Sequence, residues 1–352
     1  MNKPKFVNKK WLVIAVILLI LVTFSFLEEQ KSVSARSIVL AISLDLQDDE
    51  YEMGIQLLKA DQSQQKEFLT YSSKGKTITE ILERLSHETG GTVSLCHTLV
   101  LVLGNDLLTK DNDKAMRFFV ENEELCNNTM VVASKDSPLE ILNAKLSNGQ
   151  GGGYYLGHFL RDIGKDLGVI TMTIKDYIMN RFRIGGCVYL PYVSVEKTGE
   201  VTYISVTESF VTDGYNSAYL NEDATKGLSF ALNKLKGGEL SYEYEDKFGE
   251  VDIVNAKSDI KVSKDGKAKI KIKTTFNDKA YVPENIDEEK SVELIKQLIS
   301  NYVTQCFETC KEQGLDIFYL GQTAYASNIE LYKKEGYLQD ITLDVSVNVS
   351  MK

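Results

Sequence analysis

The chain is predicted to be mixed in class, part α+β and part α/β. An N-terminal signal-anchor helix is followed by two to three small domains, each a mixed sheet packed with helices. Three observations predict this. Segments whose apolar residues recur at helical spacing interleave with strand-like runs from about residue 36 to the end. The 352 residues are 43% hydrophobic and 26% charged, the balance of a folded globular protein rather than of a disordered, collagenous or multi-span chain. One uncharged apolar run, residues 11–27, stands near the N-terminus behind four lysines.

That run extends from Trp11 to Leu27, with Lys3, Lys5, Lys9 and Lys10 before it and Glu28 and Glu29 after it. The positive-inside rule puts the N-terminus in the cytoplasm and the body outside. At about 1.5 Å per residue the run spans roughly 25 Å, short for a membrane helix yet longer than a usual signal-peptide core. Retention as a membrane anchor is the expectation; Val33-Ser34-Ala35 ahead of Arg36 leaves cleavage after Ala35 as the alternative. Residues 1–35 carry a net charge of +3, so the remaining 317 carry −13. A body that acidic is a poor partner for nucleic acid or anionic headgroups, and no nucleic acid is expected.

Ser37–Leu46 and Glu50–Leu58 read as two strands around Gln47-Asp48-Asp49. Thr77 and Glu80 fit a capping box at the start of a helix bearing Ile78, Ile81, Leu82 and Leu85. Val93–Leu103 reads as one strand buried on both faces, Ala115–Val120 as helix, Thr129–Ala133 as strand, and Pro138 as the first turn of another helix. These elements make residues 36–147 an N-terminal α/β domain. Residues 148–185 are expected to be a Gly-rich hinge or loop tip, Asn148-Gly-Gln-Gly-Gly-Gly153, with a helical connector. A middle α/β domain, 186–257, holds strands at Cys187–Val195 and Val201–Val211 and a short helix from Asn221; Pro191 suits an edge or a bulge. The C-terminal domain, 258–352, has a hairpin around Lys264-Asp265-Gly266, a long helix from Asp287 to Gln313 stopped by Gly314, and a final strand with apolar odd positions. The expectation there is a long helix laid over an antiparallel sheet.

The sequence offers little catalytic chemistry. Gly75-Lys76-Thr77 lacks the upstream glycine of a phosphate-binding loop, and helix entry explains it better. His87, His97 and His158 are the three histidines, none in metal-binding spacing, and His97 is expected in the core. No Gly-x-Ser-x-Gly elbow occurs. The five cysteines are an odd number; Cys306 and Cys310, four apart on a helix, read as buried free thiols rather than a redox pair. Eighteen tyrosines invite a carbohydrate-binding reading, although many fall on strands where they would pack. No catalytic residue, cofactor or metal is expected.

The order of motifs resembles the Ger(x)C family, the C subunits of nutrient germinant receptors in endospore-forming bacteria. Ile42-Ser-Leu-Asp45 is similar to an early strand ending in aspartate, and Gly75-Lys-Thr-Ile-Thr-Glu80 to the entry of the first helix. Cys96-His97-Thr-Leu-Val-Leu-Val-Leu-Gly104 is similar to the family's histidine-containing strand. Leu190-Pro191-Tyr-Val193 resembles the segment that opens the middle domain. Leu220-Asn-Glu222-Asp-Ala-Thr-Lys-Gly227 with Lys236-Gly-Gly238 resembles a glutamate-containing helix and glycine turn. Gly314-Leu-Asp316-Ile-Phe-Tyr-Leu-Gly321 is similar to the stretch after the long helix. The matches run in order from about residue 37 to 349. Family members are typically lipoproteins, whereas no cysteine precedes Cys96 here, which leaves Trp11–Leu27 as the substitute anchor, or else the attachment is lost. Cys96 beside the histidine is a second departure.

The resemblance implies a non-enzymatic extracytoplasmic receptor subunit at the spore inner membrane, supporting nutrient-triggered germination. Its implied partners are a polytopic A-type subunit and a permease-like B-type subunit. Asp45, His97, Pro191, Glu222, Asp316 and Gly321 are expected to be structural positions of the family motifs. A membrane-anchored module for cell-wall polymer or another ligand is the alternative; an extracytoplasmic hydrolase would require an acid/base pair in a cleft.

Overall fold

The structure, a computed structural model, describes residues 13–20, 22–23, 36–60, 66–110, 112–164, 166–245, 247–263, 265–277, 287–334 and 336–351. Residues 13–20 and 22–23 are helical. Trp11 and Leu27, the expected limits of the anchor, and Ala35 lie outside the described residues. Among the described residues no helix is long and apolar enough to cross a membrane.

Nine strands form the first sheet: β1 (Arg36–Gln47), β2 (Glu50–Ala60), β3 (Lys66–Gly75), β4 (Thr92–Ser94), β5 (Val100–Leu103), β6 (Met130–Ser134), β7 (Val188–Thr198), β8 (Val201–Thr212) and β9 (Ser217–Leu220). Their order is β3-β2-β1-β5-β6-β7-β8-β9, with β4 alongside the start of β1. The central strands β1, β5, β6 and β7 run parallel, and antiparallel strands flank them on both sides. β5 and β6 are buried at every residue, as a parallel centre covered on both faces requires. The β1–β2 turn places Asp48 and Asp49 at φ 49° and 63°, a two-residue connection that aspartate tolerates and that matches the strand twist.

Helices α1 (Ile78–Thr89), α2 (Asn105–Lys110), α3 (Asn112–Glu121), α4 (Pro138–Asn143), α5 (Gly152–His158) and α6 (Ile174–Arg181) cover this sheet. Ile81, Leu85, Met116, Phe119 and Tyr177 pack with Ile42, Leu44 and Leu101 on one face. Ile141, Leu142 and Leu156 pack with Ala41, Val100 and Val132 on the other. Thr77 caps α1 as expected, its hydroxyl accepting from the Glu80 amide at 3.2 Å.

Residues 93–103 do not form one strand. β4 pairs Arg36–Ile38 with Thr92–Ser94, while β5 pairs Ala41–Leu44 with Val100–Leu103, so the offset grows by three residues and the excess loops out. His97 rides on that loop and is exposed, not in the core. The glycine run begins as a loop tip, with Asn148 and Gly149 exposed and Gly149 at φ 75°, and its later glycines pack into the body. Gly151, Gly152 and Gly153 are buried against β1, β2 and α4; a Cβ on Gly152 would lie 2.0 Å from the Ile141 carbonyl oxygen, and one on Gly153 2.4 Å from Ala41 Cβ. Buried Gln56 of β2 fastens the run, donating to the Leu142 carbonyl (2.6 Å) and accepting from the Tyr154 amide (2.8 Å). Glycine is present there because two backbones approach too closely for a side chain.

The rest of the chain comprises α7 (Glu222–Ala231), β10 (Glu239–Tyr244), β11 (Lys247–Val262), β12 (Lys267–Asn277), α8 (Glu288–Glu312), α9 (Leu320–Ser327), α10 (Ile329–Tyr332) and β13 (Thr342–Met351). A second sheet has the order β10-β11-β12-β13. The β11–β12 hairpin turns at Gly266, φ 80°. β13 runs parallel to β12, so this sheet is mixed rather than antiparallel. The connection through α8 to α10 returns the chain to the end where β12 began, which fixes the parallel sense.

α7 and α8 cross with backbones nearly touching: a Cβ on Gly227 would lie 2.1 Å from the Tyr302 carbonyl oxygen. α8 also reaches β9, β10 and β13. One hydrophobic cluster is continuous from Val39 of the first sheet to Ile341 at the entry to β13. Strands β7–β9, drawn from the middle segment 186–257, complete the sheet begun in 36–147.

Candidate functional site

The most constrained polar constellation lies where the C-terminal helices meet β7. Asp316 follows α8 after Gly314, whose φ of 72° ends the helix. Its side chain is buried, with Oδ1 accepting from the Leu320 amide (2.7 Å) and Oδ2 from the Gly321 amide (2.6 Å) and the Tyr337 hydroxyl (2.7 Å). Burial raises the Asp316 pKa, and the three donors pull against it. The carboxylate thus caps α9 and ties it to Tyr337. Gly321 must be glycine, since a Cβ there would stand 2.3 Å from the Tyr337 hydroxyl and 3.0 Å from Asp316 Oδ2.

Tyr319 sits before α9 at φ 55°, an uncommon backbone for an aromatic residue. That geometry turns its side chain to the first sheet, where its hydroxyl donates to the Cys187 carbonyl at 3.2 Å and the Arg183 guanidinium lies 4.3 Å over its ring. Burial pushes the Tyr319 and Tyr337 hydroxyls well above the ordinary phenol range. Beside this contact opens a cavity of about 400 Å³ whose lining includes Arg183, Tyr189, Asn233, Lys234, Tyr319 and Gln322. Among the described residues no cluster of three histidine, cysteine or acidic side chains could hold a metal ion.

Of the expected motif residues, Asp316 and Gly321 are brought together; the others lie apart. Asp45 closes β1, accepting from the Leu46 amide at 2.9 Å, and packs so closely on Gly104 that a Cβ there would lie 1.9 Å from Asp45 Oδ1. Burial is the first cause of its raised pKa, with Asp106 and Glu52 adding to it. Pro191 lies one residue before a register shift at Tyr192/Ser194 and just outside the residues that pair with β6. Glu222 opens α7, is exposed and pairs with Lys226 at 2.7 Å. Its neighbour Asn221 caps α7 and accepts from Gln305 of α8 at 3.3 Å. Sequence reasoning missed Tyr319, Tyr337 and Arg183. The stretch Gly314–Gly321 stood out in the sequence only as a motif similar to the family's, and nothing local announces the contact with Cys187.

Two family models match the chain: spore germination protein N-terminal domain over residues 29–195, and spore germination B3/GerAC like, C-terminal, over residues 210–352. The chain belongs to the GerAC-like family of spore germination proteins, and its role lies in germination. Its fold is similar to that in the crystal structure of the GerBC protein, with a TM-score of 0.52 and 14% identity over 88% of this chain and 96% of that one. No match was found among curated proteins.

Proposed function

We propose that this protein is the non-enzymatic extracytoplasmic subunit of a germinant receptor complex, held at the spore inner membrane by residues 11–27 and assembled with a polytopic A-type subunit and a permease-like B-type subunit. The observation that carries the reading is the state of Asp316. It is the most deeply buried of the acidic motif residues, and all its hydrogen bonds go to groups that hold the fold, two backbone amides and Tyr337. A carboxylate so engaged builds a scaffold and offers no proton to a substrate. Tyr51, Tyr177, Tyr189, Tyr192, Tyr242, Tyr302 and Tyr319 are buried in the body, which leaves the exposed Tyr203, Tyr215, Tyr219 and Tyr325 as the tyrosines a glycan would have to use.

The test is affinity purification of the tagged full-length chain from detergent-solubilised spore membranes, with mass spectrometry of what co-elutes and of the bait's N-terminus. Co-elution of a permease-like protein and a second polytopic subunit, with Trp11 retained, is expected. Recovery of the bait alone, beginning at Arg36, would overturn it in favour of a secreted binding module.

A further inference from the structure

β13 forms the rim of the second sheet, with no strand beyond it among the described residues. The Thr342 amide donates inward to the Gly266 carbonyl at 3.1 Å, and the register pairs Thr342 with Lys267 and continues unbroken to Met351 with Phe276. Even-numbered residues therefore bond to β12, and Leu343, Val345, Val347 and Val349 direct their N–H and C=O groups outward. Edge strands are usually blunted by lysine, proline or a bulge. This one has none of these, and Asp344 is its one charge.

Two further features flank the same edge. On the helix side, Val345 and Val347 and the flank of α8, with Glu293, Lys296, Gln297, Ser300 and Asn301, bound a groove of about 280 Å³. On the opposite face, Lys267, Lys269, Lys271 and Lys273 of β12 point to solvent at alternate positions. Lys269, Lys271 and Lys273 form no ion pair among the described residues, and β11 adds Lys257 and Lys261 across the strand. Around β12 this face is locally positive, while Glu239 and Glu243 of β10 and Glu250 and Asp252 of β11 stand exposed farther along the same sheet. Between the lysine row and the open edge stand Thr342, Asp344, Ser346, Asn348 and Ser350.

We propose that β13 is the docking strand for an extended segment of a partner subunit that carries carboxylates at alternate positions. Its backbone pairs with the outward groups of Leu343–Val349. Its carboxylates lie two strands, about 10 Å, from the lysine row, a gap that extended lysine and glutamate side chains close together. Its other face, bearing small, hydroxyl or amide side chains, enters the groove over Val345 and Val347. A lipid surface fits less well: it would meet Asp259, Asp265 and Asp344 among the lysines and leave the edge amides unpaired. A second copy of β13 would bring one carboxylate, its own Asp344, to a row of four lysines. The inference rests on the receptor-subunit reading for the source of the segment.

A photo-crosslinking amino acid at Ser346 of the full-length chain, in sporulating cells, tests this, with a probe at Glu200 in the β7–β8 turn as control. Mass spectrometry of the linked peptide is expected to identify an acid-alternating segment of a co-eluting subunit, at a yield that falls about tenfold in the Lys271→Glu/Lys273→Glu variant. A link to β13 of a second copy would overturn the proposal. So would lipid adducts together with charge-reversal-sensitive co-sedimentation on phosphatidylglycerol vesicles, or a yield no greater than at Glu200. If the polytopic subunits still co-elute in any of those cases, the docking edge fails while the receptor reading stands.

Discussion

Asp316 has a carboxylate with every hydrogen bond committed inside the fold, and replacing it makes a sharp test. In Asp316→Asn the amide nitrogen must face a backbone N–H or the Tyr337 hydroxyl, leaving a buried donor unpaired. The expected loss is about 1–3 kcal/mol in urea unfolding, against about 1 kcal/mol for Tyr337→Phe, which removes one donor and strands none. Asp45 gives a pH signature. Its folded pKa is raised above 3.8, so the folded state holds the proton more tightly than the unfolded one. Its contribution is therefore favourable in acid and is lost as pH rises through the raised value. Asp45→Asn does not titrate there, so thermal melts are expected to find the variant gaining on the wild type as the pH rises above about 4, the ordinary carboxylate value. At this scale legibility was uneven. Asp316 and Gly321 stood out only as positions of a motif similar to the family's, their role as cap and close contact unread, and His97 misled because the apolar residues on both sides of it belong to two different ladders.

The glycines at element contacts set geometry that no propensity describes. Gly227→Ala introduces a Cβ into the Tyr302 backbone and forces α7 and α8 apart. A cost of about 1–3 kcal/mol is expected, read as a lower urea midpoint at unchanged slope. Gly151–Gly153 illustrates why composition can mislead: the same residues that loosen a linker also permit the closest packing, and only the partner, here Gln56, distinguishes the two. α8 was legible because its apolar stripe repeats over 25 residues between a cap at Asp287 and Gly314. β3 was not, because Ser72, Ser73, Lys66 and Lys74 on a flank of the sheet break the alternation that marks a half-buried strand. The parallel sense of β13 depends on the path of the whole preceding crossover and has no local mark.

Across the whole molecule, one hydrophobic cluster joins residues from both sheets, and β7–β9 place sequence-distant segments in the same ladder. Residues 36–351 are therefore expected to unfold in one cooperative step, despite carrying two family domains. Calorimetry checks this: one endotherm, with calorimetric and van't Hoff enthalpies equal, is the expected outcome, and two resolved endotherms would contradict it.

α8 has a consequence for how such a body can respond to its surroundings. A helix of 25 residues is about 37 Å long, and this one touches β9 of the first sheet and β10 and β13 of the second. It is a beam built into both walls rather than a string between two beads. A load applied at the rim of one sheet is borne at the other without slack, so the two halves answer a pull as one piece.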